Sequence, residues 1–175
     1  RPVLDSEMTT LMSFYQRGRK SGDFEIGTQE AIARVLVSPA FLYRVEEEPA
    51  ALAEGAIYRL SNLELASRLS FFLWSSMPDD ELLDVAMKGR LSDPKVLEQQ
   101  TRRMLADSKS KALVNNFAGQ WLGLRELATI ETAAKNFDDN LRQSFRRETE
   151  MLFESIIRED RSIVNLIDAD YTFVD

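Results

Sequence analysis

Three consecutive carboxylates, Asp79, Asp80 and Glu81, follow Pro78 and are the first candidates for chemistry in this chain. Paired carboxylates can have separated pKa values and act as acid and base, and carboxylate oxygens also bind hard cations. Proline, however, favours the first turn of a helix, where the helix dipole stabilises acidic side chains. Successive side chains on a helix point about 100° apart, so these carboxylates do not converge. We therefore expect them to begin a helix.

Two other acidic groups are weaker candidates. Asp168, Asp170 and Asp175 have the spacing of part of a calcium loop, but Phe173 occupies the sixth position, where that loop requires glycine. We interpret this group as a polar turn after a short helix. The run Glu46–Glu48 is interpreted as a solvated charge run.

A basic segment spans residues 88–111. It carries a net charge of +4, which leaves −11 for the remainder of a chain whose net charge is −7. An ordinary solvated helix pair is the simpler interpretation. The functional interpretation is a docking surface for an acidic partner or a neighbouring domain, because complementary charge steers association. Its candidate residues are Lys95, Arg102, Arg103, Lys109 and Lys111.

Composition excludes several classes of function. The 175 residues include no Cys and no His, so the chain cannot form a disulfide, a Ser-His-Asp triad, a haem-attachment motif or a zinc finger. We therefore expect no cofactor in this chain. The acidic balance argues against nucleic acid as a partner. No apolar run approaches the roughly 20 residues of a membrane span. The sequence leaves the oligomeric state open.

Hydrophobic periodicity predicts the elements that position these side chains. Ser61 and Glu64 form a capping box, which begins a central helix. Its core face is expected to carry Leu65, Leu69 and Phe72, with Ala66 and Leu73 beside them. Other helices are predicted over residues 5–20, 24–37, 78–87, 94–106, 138–158 and 163–167, after Ser38-Pro39, and after residue 107. Residues 171–174 are predicted to be extended. The predicted fold class is all-α, an irregular bundle of about eight helices with a short extended segment at the C-terminus.

The aromatic side chains are predicted mainly as core. Phe117 and Trp121 belong to an apolar helical stripe, and buried rings dominate core energetics. Among the aromatic residues, Trp74 is the best candidate for a ring that faces a ligand, because it lies at a helix end beside Ser75 and Ser76.

The domain organisation follows from the clearest linker. We expect residues 1–45 to form a small helical module, residues 46–57 to be the linker, and residues 58–175 to form a main helical domain that is truncated at its C-terminal end. We expect the two modules to pack as one unit.

Four strings carry a family resemblance: SPAFLYR at residue 38, YRLSNLELASRLSFFLWSSMPDDELL at 58, NNFAGQWLGLREL at 115, and DDNLRQSFRRETEMLFESIIREDRSIVNLIDADYTFV at 138. They resemble planctomycete-type domains of unknown function, a small helical domain and the larger one after it. Such domains occur in secreted proteins that also carry haem c domains. The resemblance implies export, a redox context and a longer parent protein whose other domains hold any haem. It transfers no catalytic residue.

Two functions remain open from the sequence. The leading hypothesis is an accessory or interaction module, not an enzyme by itself, that contacts neighbouring domains of its parent. The alternative is a carboxylate-dependent hydrolase or lyase that acts on polysaccharide. A cleft holding two acids about 5–10 Å apart would favour the enzyme, and a convex surface without a cleft would favour the module.

Overall fold

The computed structural model describes residues 3–43, 46, 53, 55–131 and 137–174. Their α-helices are α1 (Asp5–Ser21), α2 (Phe24–Leu36), α3 (Pro39–Leu42), α4 (Asn62–Trp74), α5 (Asp80–Met87), α6 (Pro94–Ala106), α7 (Gly119–Trp121), α8 (Asp139–Arg158) and α9 (Asn165–Asp168). Short 3₁₀ turns occupy Ser108–Ser110 and Glu126–Thr129, and Leu113–Ala118 is π-helical. These described residues contain no strand, and 171–174 are non-helical. The predicted all-α class is confirmed.

The chain divides into two compact units. We call residues 1–60 the N-terminal unit and residues 61–175 the C-terminal unit. The expected linker lies partly outside the described residues, as do Glu47 and Glu48. The packing of two modules as one unit stays a prediction.

The N-terminal unit contains a helical hairpin, in which α1 and α2 contact each other most closely at two glycines. Gly18 and Gly27 are the buried residues of their helices. A Cβ atom at Gly18 would lie 2.7 Å from the carbonyl oxygen of Ile26 and 2.9 Å from the Cα of Gly27. A Cβ atom at Gly27 would lie 2.8 Å from the Cγ of Arg19. The two backbones therefore approach too closely for any larger residue, a contact that the sequence analysis missed.

Helix starts follow the predicted capping. Ser61 Oγ accepts from the backbone N–H of Glu64 at 3.3 Å, and Glu64 Oε2 accepts from the backbone N–H of Ser61 at 2.8 Å. Ser38 caps α3, with Pro39 at its first position. Asp138 caps α8. Each cap satisfies N–H groups that the helix leaves free, which explains why these boundaries are readable from local sequence.

The core of the C-terminal unit surrounds α4. Its buried side presents Ala66, Ser70, Leu73 and Trp74, which follow helical spacing. Buried residues of the neighbouring elements pack around this side: Leu82, Ala86, Leu91, Met104 and Leu113. A second cluster joins Val114, Ala118 and Phe153.

One part of the core prediction was wrong. Phe72, expected on the core face of α4, is 53% exposed. The buried side is centred on the small residues Ala66 and Ser70 instead, because small side chains let the neighbouring elements approach α4 closely. Leu65 and Leu69 are only partly buried at the edge of this core.

We expect Gly18→Ala to destabilise the α1–α2 hairpin, by about 1–3 kcal/mol, because the new methyl group overpacks the crossing. The direction of the change in stability distinguishes the two effects, since replacing glycine by alanine inside a helix normally stabilises the helix by up to about 1 kcal/mol. Amide hydrogen exchange in α1 and α2 measures the effect. Thr9→Ala, at an exposed position of α1, is the control and should not speed exchange. Slower exchange in Gly18→Ala would contradict the close crossing.

Candidate functional site

Asp79, Asp80 and Glu81 lie at the start of α5 as expected, although the helix begins at Asp80 and not at Pro78. Asp79 is the N-cap, and its Oδ1 accepts from the backbone N–H of Leu82 at 3.0 Å. Asp80 and Glu81 occupy the first turn. Their placement is therefore explained by the capping requirement and by the helix dipole.

Arg103, from the last turn of α6, binds two of these acids, Asp79 and Glu81. Its Nη1 donates to Asp79 Oδ2 at 2.7 Å and its Nη2 to Asp79 Oδ1 at 3.0 Å. Its Nε lies 3.1 Å from Glu81 Oε1, and it donates to Gln100 Oε1 at 2.9 Å. The amide of Gln100 in turn donates to Glu81 Oε1 at 2.9 Å. We call these four residues the Arg103 network, and it fixes the start of α5 against the end of α6.

The Arg103 network keeps Asp79 ionised. The hydrogen bond from Arg103 lowers the pKa of Asp79, and the bond from the Leu82 N–H adds to this, although partial burial opposes both. The same hydrogen bond raises the pKa of Arg103. A general acid at neutral pH needs a raised pKa. Asp79 has the opposite shift, so it is suited to an ion pair rather than to proton donation.

Trp74 lies beside this network and is a core residue. It is 3% exposed, and its Nε1–H donates to the carbonyl oxygen of Met104 at 2.8 Å. The Nζ of Lys109 lies 4.6 Å from the ring centroid and the Cζ of Arg103 lies 5.7 Å from it. Both distances allow a cation–π interaction. The expectation that Trp74 is the better candidate for a ligand-facing ring was therefore wrong, because its ring fills the space between α4 and α6.

The predicted docking residues are split between two faces of the C-terminal unit. Arg103 and Lys109 meet at Trp74, whereas exposed Arg102 pairs with Glu98 at 3.0 Å and with Asp160 at 3.1 Å. Lys95 and Lys111 are exposed and form no ion pair within the described residues. Arg102 and Arg103 diverge because consecutive helical residues point about 100° apart. The docking role of the five residues stays a prediction.

A cluster of exposed aromatic rings lies on the C-terminal unit. Phe117 stacks on Trp121 at a centroid distance of 5.7 Å and meets Phe72 edge-on at 5.4 Å. The exposed fractions are 53% for Phe72, 41% for Phe117 and 59% for Trp121. We call these three residues the aromatic cluster. Phe153, which is buried, lies 6.5 Å from Phe117 and supports the cluster from the core.

The π-helical segment explains why sequence reasoning placed Phe117 and Trp121 in the core. An α-helical period predicts one apolar stripe, but a π-helical turn is wider and rotates the residues that follow it. Leu113, Val114 and Ala118 consequently face the core, and the two aromatic side chains turn outward. Asn116 Nδ2 donates to Ser75 Oγ at 2.7 Å, which ties the segment to the end of α4.

Comparison with protein families gives two matches. The family described as PSD4, a protein of unknown function (DUF1592), matches residues 60–175, about two thirds of the chain. The chain belongs to the DUF1592 family. The family described as PSD5, a protein of unknown function (DUF1595), matches residues 1–46. No curated protein and no solved structure matches the chain.

The DUF1592 match includes both the Arg103 network and the aromatic cluster.

Four clefts of this DUF1592 chain have one carboxylate each in their lining: Glu7, Glu148, Asp160 and Asp139. A glycosidase needs two carboxyl groups across one cleft. These four clefts therefore do not offer the site that the polysaccharide hypothesis requires.

The described residues include no group of three or more acidic side chains placed to hold a metal ion. Asp168 ends α9, Asp170 is exposed, and Asp175 lies outside the described residues. None of the described helices combines the length and the apolar character needed to cross a bilayer.

We expect Asp79→Asn to lower the free energy of unfolding by about 1 kcal/mol at pH 7, because asparagine still caps the helix but loses the ion pair. A carboxyl with a lowered folded-state pKa stabilises fully above its unfolded pKa of about 3.9. That contribution to stability is lost as the pH falls through the pKa of Asp79 in the folded protein. Denaturant titrations at pH 7 and pH 2.5 measure the difference from the wild type, which should shrink at the lower pH.

Asp80→Asn removes the same charge from the same turn, at an exposed position, and serves as the control. Its effect should be smaller at pH 7, because the Arg103 network does not include it. Equal effects of the two substitutions at pH 7 would mean that general helix-dipole electrostatics, not the bond to Arg103, stabilises this corner.

Proposed function

We propose that this DUF1592 chain is a non-catalytic accessory module that docks onto neighbouring domains of a larger, exported, redox-linked protein. The observation that carries the proposal is the aromatic cluster. Exposed contiguous apolar surface on a soluble domain commonly marks an interaction site. Aromatic residues are also enriched among those that contribute most to protein interfaces.

The aromatic cluster has the rigidity that a docking surface needs. Phe117 and Trp121 stack on each other, Phe153 supports them, and the Asn116–Ser75 hydrogen bond fixes the backbone beneath. Little conformational freedom is therefore left to lose on binding, and preorganisation of this kind increases affinity. Burying one large apolar side chain is worth about 1.5–3 kcal/mol, so a partner that covers the cluster gains substantially.

The basic segment would raise the rate of association with the partner more than the affinity of the complex. Lys95, Arg102, Arg103, Lys109 and Lys111 form the proposed electrostatic surface for an acidic partner. Surface charge of this kind mainly raises the association rate and is screened by salt over about 8–10 Å. Arg103 is also needed for the fold through Asp79, so the exposed residues Lys95 and Lys111 give the cleaner test.

The multidomain context rests on two supports. The DUF1595 and DUF1592 matches follow each other along the chain, and the quoted strings resemble secreted planctomycete-type proteins with haem c domains. We infer that haem belongs to other domains of the parent and that this module helps to position them. On this view the module works outside the cytoplasm, and its partners are sibling domains.

We expect Trp121→Ala to weaken binding to the separately expressed remainder of the parent at least about tenfold, the effect of losing an interface hot spot. Isothermal titration calorimetry measures the affinity, and circular dichroism should show an unchanged helical fold. Ile167→Ala, which removes another exposed apolar side chain of the same unit, is the control and should bind as the wild type does. Unchanged affinity in Trp121→Ala would refute docking through the aromatic cluster.

We expect the double variant Lys95→Glu, Lys111→Glu to associate more slowly with the same partner, by about tenfold at low salt and by less at physiological salt. Stopped-flow mixing at two ionic strengths measures the rate. The double variant Lys20→Glu, Arg147→Glu makes the same charge change at exposed positions outside the basic segment and is the control. A rate unaffected by the double reversal at low salt would refute the steering role.

A further inference from the structure

A small cleft on the C-terminal unit gathers three arginines. It has a volume of about 250 Å³ and lies between residues 124–128 and the first half of α8. Its polar lining consists of Arg125, Arg142, Arg146, Gln143 and Asp139. Three guanidinium groups and one carboxylate give this lining a formal charge of +2, although the chain as a whole carries −7. Like charges repel, so their convergence needs an explanation.

Arg142 is the arginine of the cleft whose side chain is held by contacts within the protein. Its side chain is only 18% exposed, its Nη1 donates to the carbonyl oxygen of Leu127 at 2.6 Å, and its Cζ lies 4.6 Å from the ring centroid of Phe137. Neither contact carries a formal negative charge. Asp139, at 3.7 Å, is 97% exposed, and such solvated pairs contribute little. The positive charge of Arg142 is therefore held in place but weakly compensated.

The other two arginines retain unused donors. Arg146 pairs through its Nε at 2.8 Å with Glu150, whose side chain is only 12% exposed, so its charge is partly compensated while its two terminal nitrogens form no described bond. Arg125 forms no ion pair in the part of the chain that the structure describes. It comes from a different segment, so helix-surface pairing on α8 does not account for its position in the cleft lining.

The size of the cleft limits the ligand. Sites for drug-sized molecules are usually about 300–1,000 Å³, so a 250 Å³ cleft suits a small group. The planar fork of arginine matches two oxygens of a carboxylate or a phosphate. A long polyanion is disfavoured, since it would also cover the acidic remainder of the surface.

We propose that the cleft formed by Arg125, Arg142, Arg146 and Gln143 binds a small oxyanion. The ligand is a free phosphate or a small carboxylic acid. The docking proposal above does not depend on this site.

Titration calorimetry at low salt with inorganic phosphate and, separately, with succinate tests the proposal. We expect saturable binding of at least one of them, with a dissociation constant of about 1 mM or lower. Binding of phosphate alone or of succinate alone would identify which of the two oxyanions the cleft prefers. Arg125→Gln should weaken that binding at least about tenfold, because it removes one charged fork.

Two further variants separate a site from general electrostatics. Arg90→Gln makes the same charge change at an exposed arginine that forms no described ion pair and lies outside the cleft, and it should leave binding unchanged. Asp139→Asn should tighten binding, since it removes the one carboxylate in the lining. The absence of saturable binding by either anion up to about 10 mM, or equal weakening in Arg125→Gln and Arg90→Gln, would overturn the proposal.

Discussion

The ion pair between Arg103 and Asp79 is the constraint that organises one corner of the C-terminal unit. It joins the cap of α5 to the last turn of α6, and it forms beside Trp74, whose N–H needs the Met104 carbonyl as its acceptor. Partly buried charges are costly unless geometry and hydrogen bonding are both good. Here the pair is bidentate, and Gln100 and Glu81 complete the network. Three helices are thereby held at one corner of the bundle.

This contact also changes how the charges of the chain are interpreted. The acidic triplet and the basic segment are the two most conspicuous charged features of the sequence, and each suggests a separate site. In the folded unit Asp79 and Arg103 form an ion pair. One acid of the triplet and one basic residue of the basic segment therefore contribute to stability. Arg103 is therefore a poor probe of function, and the proposed functional surfaces are the aromatic cluster, the exposed remainder of the basic segment and the cleft at Arg142.

Local chemistry was predictable from the sequence and long-range pairing was not. The caps at Ser38 and Ser61, together with the all-α class, follow from interactions within a few residues, which a sequence displays directly. Asp79 and Arg103 lie 24 positions apart, and no periodic signal connects them. The outward turn of Trp121 depends on a π-helical segment that α-helical spacing does not reveal. The Gly18 contact depends on interhelical distance, which composition does not encode.

The N-terminal hairpin has a consequence for cooperativity. Its buried positions are glycines, while Phe24, Ile32 and Leu36 remain largely exposed. Glycine contributes no side chain to burial, so the hairpin gains little hydrophobic free energy of its own. Segments with few buried apolar contacts open locally at a fraction of the global unfolding free energy. By its own contacts, the hairpin should therefore open locally at a lower free energy than a helix pair that buries large apolar side chains.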